Sequence, residues 1–189
     1  MSLASVIAIC GAKRSGKDTL ADHLVARYGY EKIKLADPIK HVVKYLFAFD
    51  DNQVGESDDK DIIDPKWNIT PRKAMQFFGT DMMQYKLQEL LPNIGRKFWI
   101  NRLMTKLDPN KKYVISDLRF VHEYEELNKI NTFIIKVDRP TNTSIDKHAS
   151  ESEYTNIPVH LFIRNDKSIQ TMLIEFDNSL DQSCFSQNF

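Results

Sequence analysis

The sequence predicts a three-layer α/β fold built on a five-stranded parallel sheet, and three observations predict it. Short apolar runs alternate with amphipathic stretches of helical period along the 189 residues, the pattern of strands joined by helical crossovers. The run Thr132–Val137 is almost wholly apolar, as a parallel strand covered on both faces has to be. The first apolar run ends in Gly11-Ala12-Lys13-Arg14-Ser15-Gly16-Lys17, a glycine-bounded loop that opens directly into a helix.

The bulk numbers set limits. The length suits one domain with a substantial core. With 26 basic and 26 acidic residues the formal net charge is zero, which argues against a general nucleic-acid binder. Cys10 and Cys184 lie far apart and form neither a disulfide framework nor a metal-ligand spacing. The N-terminal apolar stretch is too short to span a bilayer, and it runs straight into the loop rather than into a cleavage site. A reducing, cytoplasmic setting is expected, without a membrane partner.

Taken in order, strand one covers about Ser5–Cys10. Helix one places Leu20, Ala21, Leu24, Val25 and Tyr28 on one face at a period of about 3.6. A short strand, Lys32–Leu35, follows. Asp37-Pro38 reads as an N-cap with proline at the first helical position, opening a helix to about Phe47. Residues 50–68 are acidic and irregular and read as a solvated surface loop. Thr70-Pro71 repeats the cap-then-proline signal, and helix runs to about Leu91 with a break near Gly79. A helix over about Arg96–Leu107 ends at Asp108-Pro109-Asn110. Tyr113–Ser116 is the third strand, Val121–Ile130 a helix and Thr132–Val137 the fourth strand. After the polar stretch Asp138–Pro158, Val159–Ile163 is the fifth strand. Ile169, Met172, Leu173, Phe176 and Leu180 line the last helix, and the tail beyond Asp181 is polar and frayed.

Ligands of an open parallel sheet bind beyond the carboxyl ends of its strands. Those ends carry the glycine loop, Ala36-Asp37-Pro38, Asp117-Leu118-Arg119, Asp138-Arg139-Pro140 and Arg164-Asn165-Asp166. Gly11 and Gly16 let the backbone curl around phosphate oxygens, and the helix that follows points its positive end at the same anion. Lys17 reaches the outer phosphates. The usual loop ends Gly-Lys-Ser or Gly-Lys-Thr, with the hydroxyl on magnesium. Here Asp18 holds that place and Thr19 follows. Asp117 ends an apolar strand, where a carboxylate binds magnesium or its water shell; a loop cap is the plain alternative. Arg119 and Arg139 suit a transferring phosphoryl group because the guanidinium fork meets phosphate oxygens bidentately; surface ion pairs are the alternative for each.

The insert 37–107 holds Arg72, Gln76, Thr80, Arg96 and Trp99, which could hydrogen-bond and stack on a base. Phe77, Phe78, Leu87 and Leu90 read as packing. Thr105-Lys106-Leu107-Asp108 copies a guanine-reading motif, but it ends a helix rather than a strand and is set aside. His148, Glu151 and Glu153 read as part of a mobile lid or a solvated helix rather than a metal site.

These motifs, in this order, resemble the phage-type deoxynucleoside monophosphate kinases. Gly11 through Thr19 resembles their phosphate loop, in which Gly-Lys-Asp is the usual ending. Leu35-Ala36-Asp37-Pro38-Ile39-Lys40 is similar to their segment after strand two. Thr70-Pro71-Arg72, Gln76 through Asp81 and Phe98-Trp99 are similar to their substrate-side insert. Ser116-Asp117-Leu118-Arg119-Phe120, with Glu123 following, resembles their third-strand motif, and Asn165-Asp166 their segment before the last helix. The resemblance runs to about Leu180 and departs at Gln84, where an arginine is expected. It implies a single-domain P-loop NTPase fold of nucleoside monophosphate kinase type. The core would be 1–36 and 108–181, with a helical substrate-binding insert at 37–107 and a short lid at about 139–158.

The resemblance also implies ATP and Mg2+, with the γ-phosphoryl of ATP passing to the α-phosphate of a deoxynucleotide. In that picture Gly11, Lys13, Arg14, Ser15, Gly16, Lys17, Asp18, Thr19 and Asn165 hold ATP. Asp18 and Asp117 hold the metal. Asp37, Lys40, Arg72, Gln76, Trp99 and Arg119 hold the acceptor, and Lys17, Arg119 and Arg139 act on the group in transfer. Animal phosphomevalonate kinases share Gly-Lys-Asp and a segment like Glu151-Ser152-Glu153, which makes them the second reading; a non-enzymatic P-loop switch is the third. Thr70-Pro71-Arg72 favours the nucleotide. A homodimer is compatible with the chain.

Overall fold

The computed structural model describes residues 4–140 and 153–185, with side chains as far as Leu180. The chain divides into two compact units, one comprising residues up to Lys34 and from Lys106 onward, the other Leu35–Thr105.

The first unit carries one sheet of five parallel strands: β1 (Val6–Cys10), β2 (Glu31–Ile33), β3 (Tyr113–Ile115), β4 (Phe133–Asp138) and β5 (Leu161–Arg164), in the order β2-β3-β1-β4-β5. β1 is buried at every residue, and Ile7 pairs with Val114 on one side and Phe133 on the other. Helices α1 (Lys17–Tyr28), α6 (Val121–Asn128) and α7 (Ile169–Phe185) and a 3-10 turn (Glu153–Asn156) belong to the same unit. Leu20, Ala21 and Leu24 of α1 and Met172 and Phe176 of α7 pack with Ile7, Ile9, Val114 and Ile135. Burying a Leu, Ile or Phe side chain contributes about 1.5–3 kcal/mol. Ala8, Cys10 and Ile134, on the alternate parity of their strands, are buried too, so both faces of the sheet are covered. Asp177 of α7 accepts the Tyr28 hydroxyl at 2.8 Å and lies 2.8 Å from Nε2 of His23, tying α7 to α1.

The sheet matches the sequence expectation; several details differ. The edge strands are shifted: β2 starts at Glu31 and stops at Ile33, and β5 starts at Leu161 rather than Val159. An edge strand takes its limits from the partner that pairs with it, not from its own apolar run. Val25 and Ile169 fit the helical period yet are exposed, because the stripe made by Leu20, Ala21 and Leu24 suffices for α1 and Ile169 opens its helix.

The second unit is helical: α2 (Asp37–Phe47), α3 (Asp51–Val54), a 3-10 turn (Asp58–Asp61), α4 (Pro71–Gln76), a π-helix (Phe77–Tyr85), a 3-10 turn (Lys86–Glu89) and α5 (Phe98–Met104). Thr70 caps α4 as expected, its Oγ1 accepting from the Lys73 amide at 3.1 Å. In α2 the cap is Ala36, so Asp37 is the first helical residue, where a carboxylate suits the helix dipole. The acidic stretch is not a plain loop. Asp50 and Gln53 close a capping box around α3, and Val54 is buried with Val43, Phe49 and Ala74. Short polar side chains here bond their own backbone and build turns. At Gly79 the helix widens to π periodicity instead of breaking. The helix expected over 96–107 is confined to Phe98–Met104.

Candidate active site

The loop between β1 and α1 has a backbone only glycine permits. Gly11 and Gly16 have φ 142° and 107°. A Cβ on Gly11 would fall 2.2 Å from the Val137 carbonyl oxygen, and one on Gly16 would fall 2.7 Å from Nδ2 of Asn165. Arg14 takes a left-handed φ of 61° at the loop tip, a conformation that costs a non-glycine residue about 1–2 kcal/mol. The Ser15 amide donates to the Ala12 carbonyl at 3.2 Å, and Asn165, buried beyond β5, donates from Nδ2 to the Ser15 carbonyl at 2.9 Å. Asn165 therefore braces the loop from below.

This cradle fits a chain of phosphates. Ser15 is fully buried, and its Oγ has no hydrogen-bond partner among the described residues, which costs about 1–3 kcal/mol unless a ligand oxygen engages it. Gly16 is the N-cap of α1 and brings no side-chain acceptor, so its first-turn amides can meet an anion. The Lys17 ammonium lies back over the loop, donating to the carbonyls of Gly11 (2.9 Å) and Ala12 (2.6 Å). Lys13 and Thr19 are half-buried and Arg14 is exposed.

Asp18 gathers three elements. Its Oδ1 lies 2.8 Å from Nζ of Lys34 and 2.9 Å from Nζ of Lys32, and it accepts the Ser116 hydroxyl at 3.1 Å. Burial works against the charged carboxyl, but the two ammonium groups outweigh it and hold the acid well below the usual carboxylate range. No motif in the sequence points to Lys32 or Lys34. Their spacing of two, which puts both on one side of a strand end, was the available signal.

Beyond β3, Asp117 and Arg119 are half-buried while Leu118 and Phe120 are buried. Glu123, in the first turn of α6, is 4% exposed. Its Oε2 accepts the amides of Arg119 and Phe120, each at 3.0 Å. Burial pushes the Glu123 carboxyl up to about 8, against the pull of those two amides, with Asp117 pushing further and Arg119 pulling back. Arg139 follows β4 and is exposed. Of the lid cluster, His148 and Glu151 lie outside the described residues; Glu153 accepts the Val121 amide at 3.3 Å. Among the described residues no group of three His, Cys, Asp or Glu could hold a metal ion.

In the helical unit, Nε and Nη2 of Arg72 both donate to the Asp61 carboxylate. Lys40 lies 3.1 Å from Glu56 and 3.9 Å from Asp37. Gln76, half-buried, ends α4. Trp99 is 7% exposed, and its indole N–H donates to the Gly79 carbonyl at 2.7 Å, so it is engaged in the packing of its own unit. Gln84, the departure noted above, is buried and accepts from Nε of Arg96 at 3.1 Å. The Arg96 guanidinium stands 5.2 Å from the centre of the Tyr85 ring.

Comparison with known proteins shows the family of the chain. The family model for deoxynucleotide monophosphate kinase matches residues 5–68 and 52–175. An Acanthamoeba polyphaga mimivirus protein, provisionally named a deoxynucleotide monophosphate kinase, is 33% identical over 188 residues, covering 94% of this chain and 97% of that one. The deoxynucleotide monophosphate kinase of Enterobacteria phage T4 is 24% identical over 245 residues, covering 93% and 98%. Shikimate kinase from Acinetobacter baumannii, solved in complex with shikimate, superposes with a TM-score of 0.51 at 11% identity over 100% of this chain and 97% of that one, a likeness of fold. With the model spanning nearly the whole sheet and the phosphate loop, the chain belongs to the deoxynucleotide monophosphate kinase family.

Proposed function

We propose that the protein is an enzyme that phosphorylates deoxynucleoside monophosphates to diphosphates, with ATP and Mg2+ as the donor system. The loop Gly11–Lys17, with its buried and unsatisfied Ser15 hydroxyl, carries this reading, together with the family of the chain. Bound ATP supplies the γ-phosphoryl group. The backbone of Gly11–Gly16, with Lys13, Arg14, Ser15 and Thr19, would hold the donor phosphates, and Asn165 keeps that backbone in place. Lys17 would exchange its two carbonyl acceptors for outer phosphate oxygens. Asp117 and Asp18 would hold magnesium or its water shell, with Lys32 and Lys34 beside the Asp18 carboxylate. Arg119 and Arg139 would neutralise charge on the group in transfer, the dominant need of phosphoryl transfer.

For the acceptor we assign Asp37, Lys40, Arg72 and Gln76, with Trp99 supporting the insert from inside. The test is ADP formation from ATP with each of the four common deoxynucleoside monophosphates and with phosphomevalonate. Turnover with at least one deoxynucleotide is expected. Turnover with phosphomevalonate alone replaces the substrate class, and ATP binding without any turnover replaces the enzyme with a switch.

A further inference from the structure

We propose that Glu123 is a positioning residue that sets the backbone of Arg119 for phosphoryl transfer, acting through a single carboxyl oxygen. The inference rests on the role assigned above to Arg119. Between β3 and α6 the chain 116–120 belongs to neither a strand nor a helix, so no ladder or helical turn sets its direction. The buried Leu118 and Phe120 anchor it on one side, and alternation along the extended segment turns Asp117 and Arg119 the other way. Anchoring two side chains does not set the peptide planes. Glu123 does this, because Oε2 accepts two consecutive amides, Arg119 and Phe120, each at 3.0 Å.

The N-cap position of α6 is Phe120, which has no side-chain acceptor, so an acceptor from within the helix takes up these amides. For stability alone a Ser, Thr or Asn at the cap would serve, without burying a carboxyl group at a cost. A long side chain reaching back from the third helical position instead ties the start of the helix to the residue that bears the guanidinium. A displacement of about 1 Å in such a group costs about a hundredfold in rate.

The experiment compares Glu123→Gln, Glu123→Asp and Glu123→Ala, each alone and with Arg119→Ala, in the intact protein. The readouts are kcat for dNMP-dependent ADP formation and the ATP dissociation constant by direct titration. Reach, not charge, should decide. Gln keeps an oxygen at the same distance, and its kcat should stay within about threefold of wild type; Asp and Ala should lose about thirtyfold or more. ATP affinity should hold within about twofold in all of them. With Arg119 already removed, the Glu123 changes should cost nothing further, the non-additivity of groups that act as one.

Full kcat in Asp and Ala overturns the inference. So do losses that multiply with that of Arg119→Ala, and a loss in Gln equal to that in Ala. Wild-type kcat in Arg119→Ala itself overturns the role of Arg119, and the inference with it. If Ala does not fold, Asp against Gln makes the same comparison.

Discussion

The sheet unit and the helical insert solve the problem of holding polar groups in opposite ways. In the sheet unit the groups at the strand ends stand on a dry platform. β1 is buried along its length, the phosphate loop is braced by a buried asparagine, and Asp18 and Glu123 are held by two or more donors each. In the insert the charged groups are tied in surface pairs, Arg72 to Asp61 and Lys40 to Glu56. Large apolar side chains remain at its surface, Tyr45 at 88% exposed and Leu90 at 75%. Backbone preorganised by burial stabilises a transition state without reorganising. Short helices joined by local pairs open more readily, which suits the acceptor-holding role proposed for the insert. Changes in the sheet unit should therefore act on turnover, and changes in the insert on stability and substrate affinity.

The largest effect should come from Lys17→Ala. Removing the loop ammonium should cut turnover by about a hundredfold to ten-thousandfold with the melting temperature nearly unchanged, as read by coupled assay and thermal melt. A variant keeping a tenth of the wild-type rate would break the contrast, because the loop would then carry no more chemistry than the insert.

Asp18→Asn comes next. The amide can still bond Lys34 or Ser116, but it brings no negative charge to a cation. The magnesium concentration for half-maximal rate should rise by about tenfold, and the melting temperature without nucleotide should fall somewhat as the two lysines lose their counter-charge. Lys34→Met should lower the melting temperature and leave the magnesium requirement alone. An unchanged magnesium requirement in Asp18→Asn would make Asp18 an anchor for lysines only.

A smaller effect follows the pH. The Glu123 carboxyl is raised from its ordinary 4.5 to about 8 in the folded protein, by burial first and Asp117 second, against the Arg119 and Phe120 amides and the Arg119 charge. Between those values the folded protein keeps a proton that the unfolded chain releases. Its stability contribution is complete below 4.5 and is lost as the pH climbs through about 8. Glutamine does not titrate, so Glu123→Gln should gain in melting temperature on wild type from about pH 5 to about pH 9. A difference that stays flat across that range would remove burial as the dominant influence on Glu123.

The smallest effect belongs to the insert. Thr70→Ala deletes the one side-chain cap of α4 and should cost about 1 kcal/mol, or about 2–4 °C in melting temperature for a chain of this size. Turnover at saturating substrates should be unchanged. A large loss of kcat here would mean that the insert carries the chemistry as tightly as the sheet unit does.

Whatever depends on neighbours along the chain is legible in its residues. Periodicity placed all five strands and the α1 stripe of Leu20, Ala21 and Leu24; glycine spacing placed the phosphate loop; Thr70-Pro71 placed a helix start to the residue. What pairs across long separations could not be read that way. The limits of β2 and β5 depend on β3 and β4. The bracing of Ser15 by Asn165 joins residues 150 positions apart. The π-helix at Phe77–Tyr85 and the engagement of Trp99 with Gly79 arise from packing inside the insert. The meeting of Asp18 with Lys32, Lys34 and Ser116 exists only in the folded chain, because an ion pair forms where packed elements bring its partners together, and nothing local in the chain records that distance.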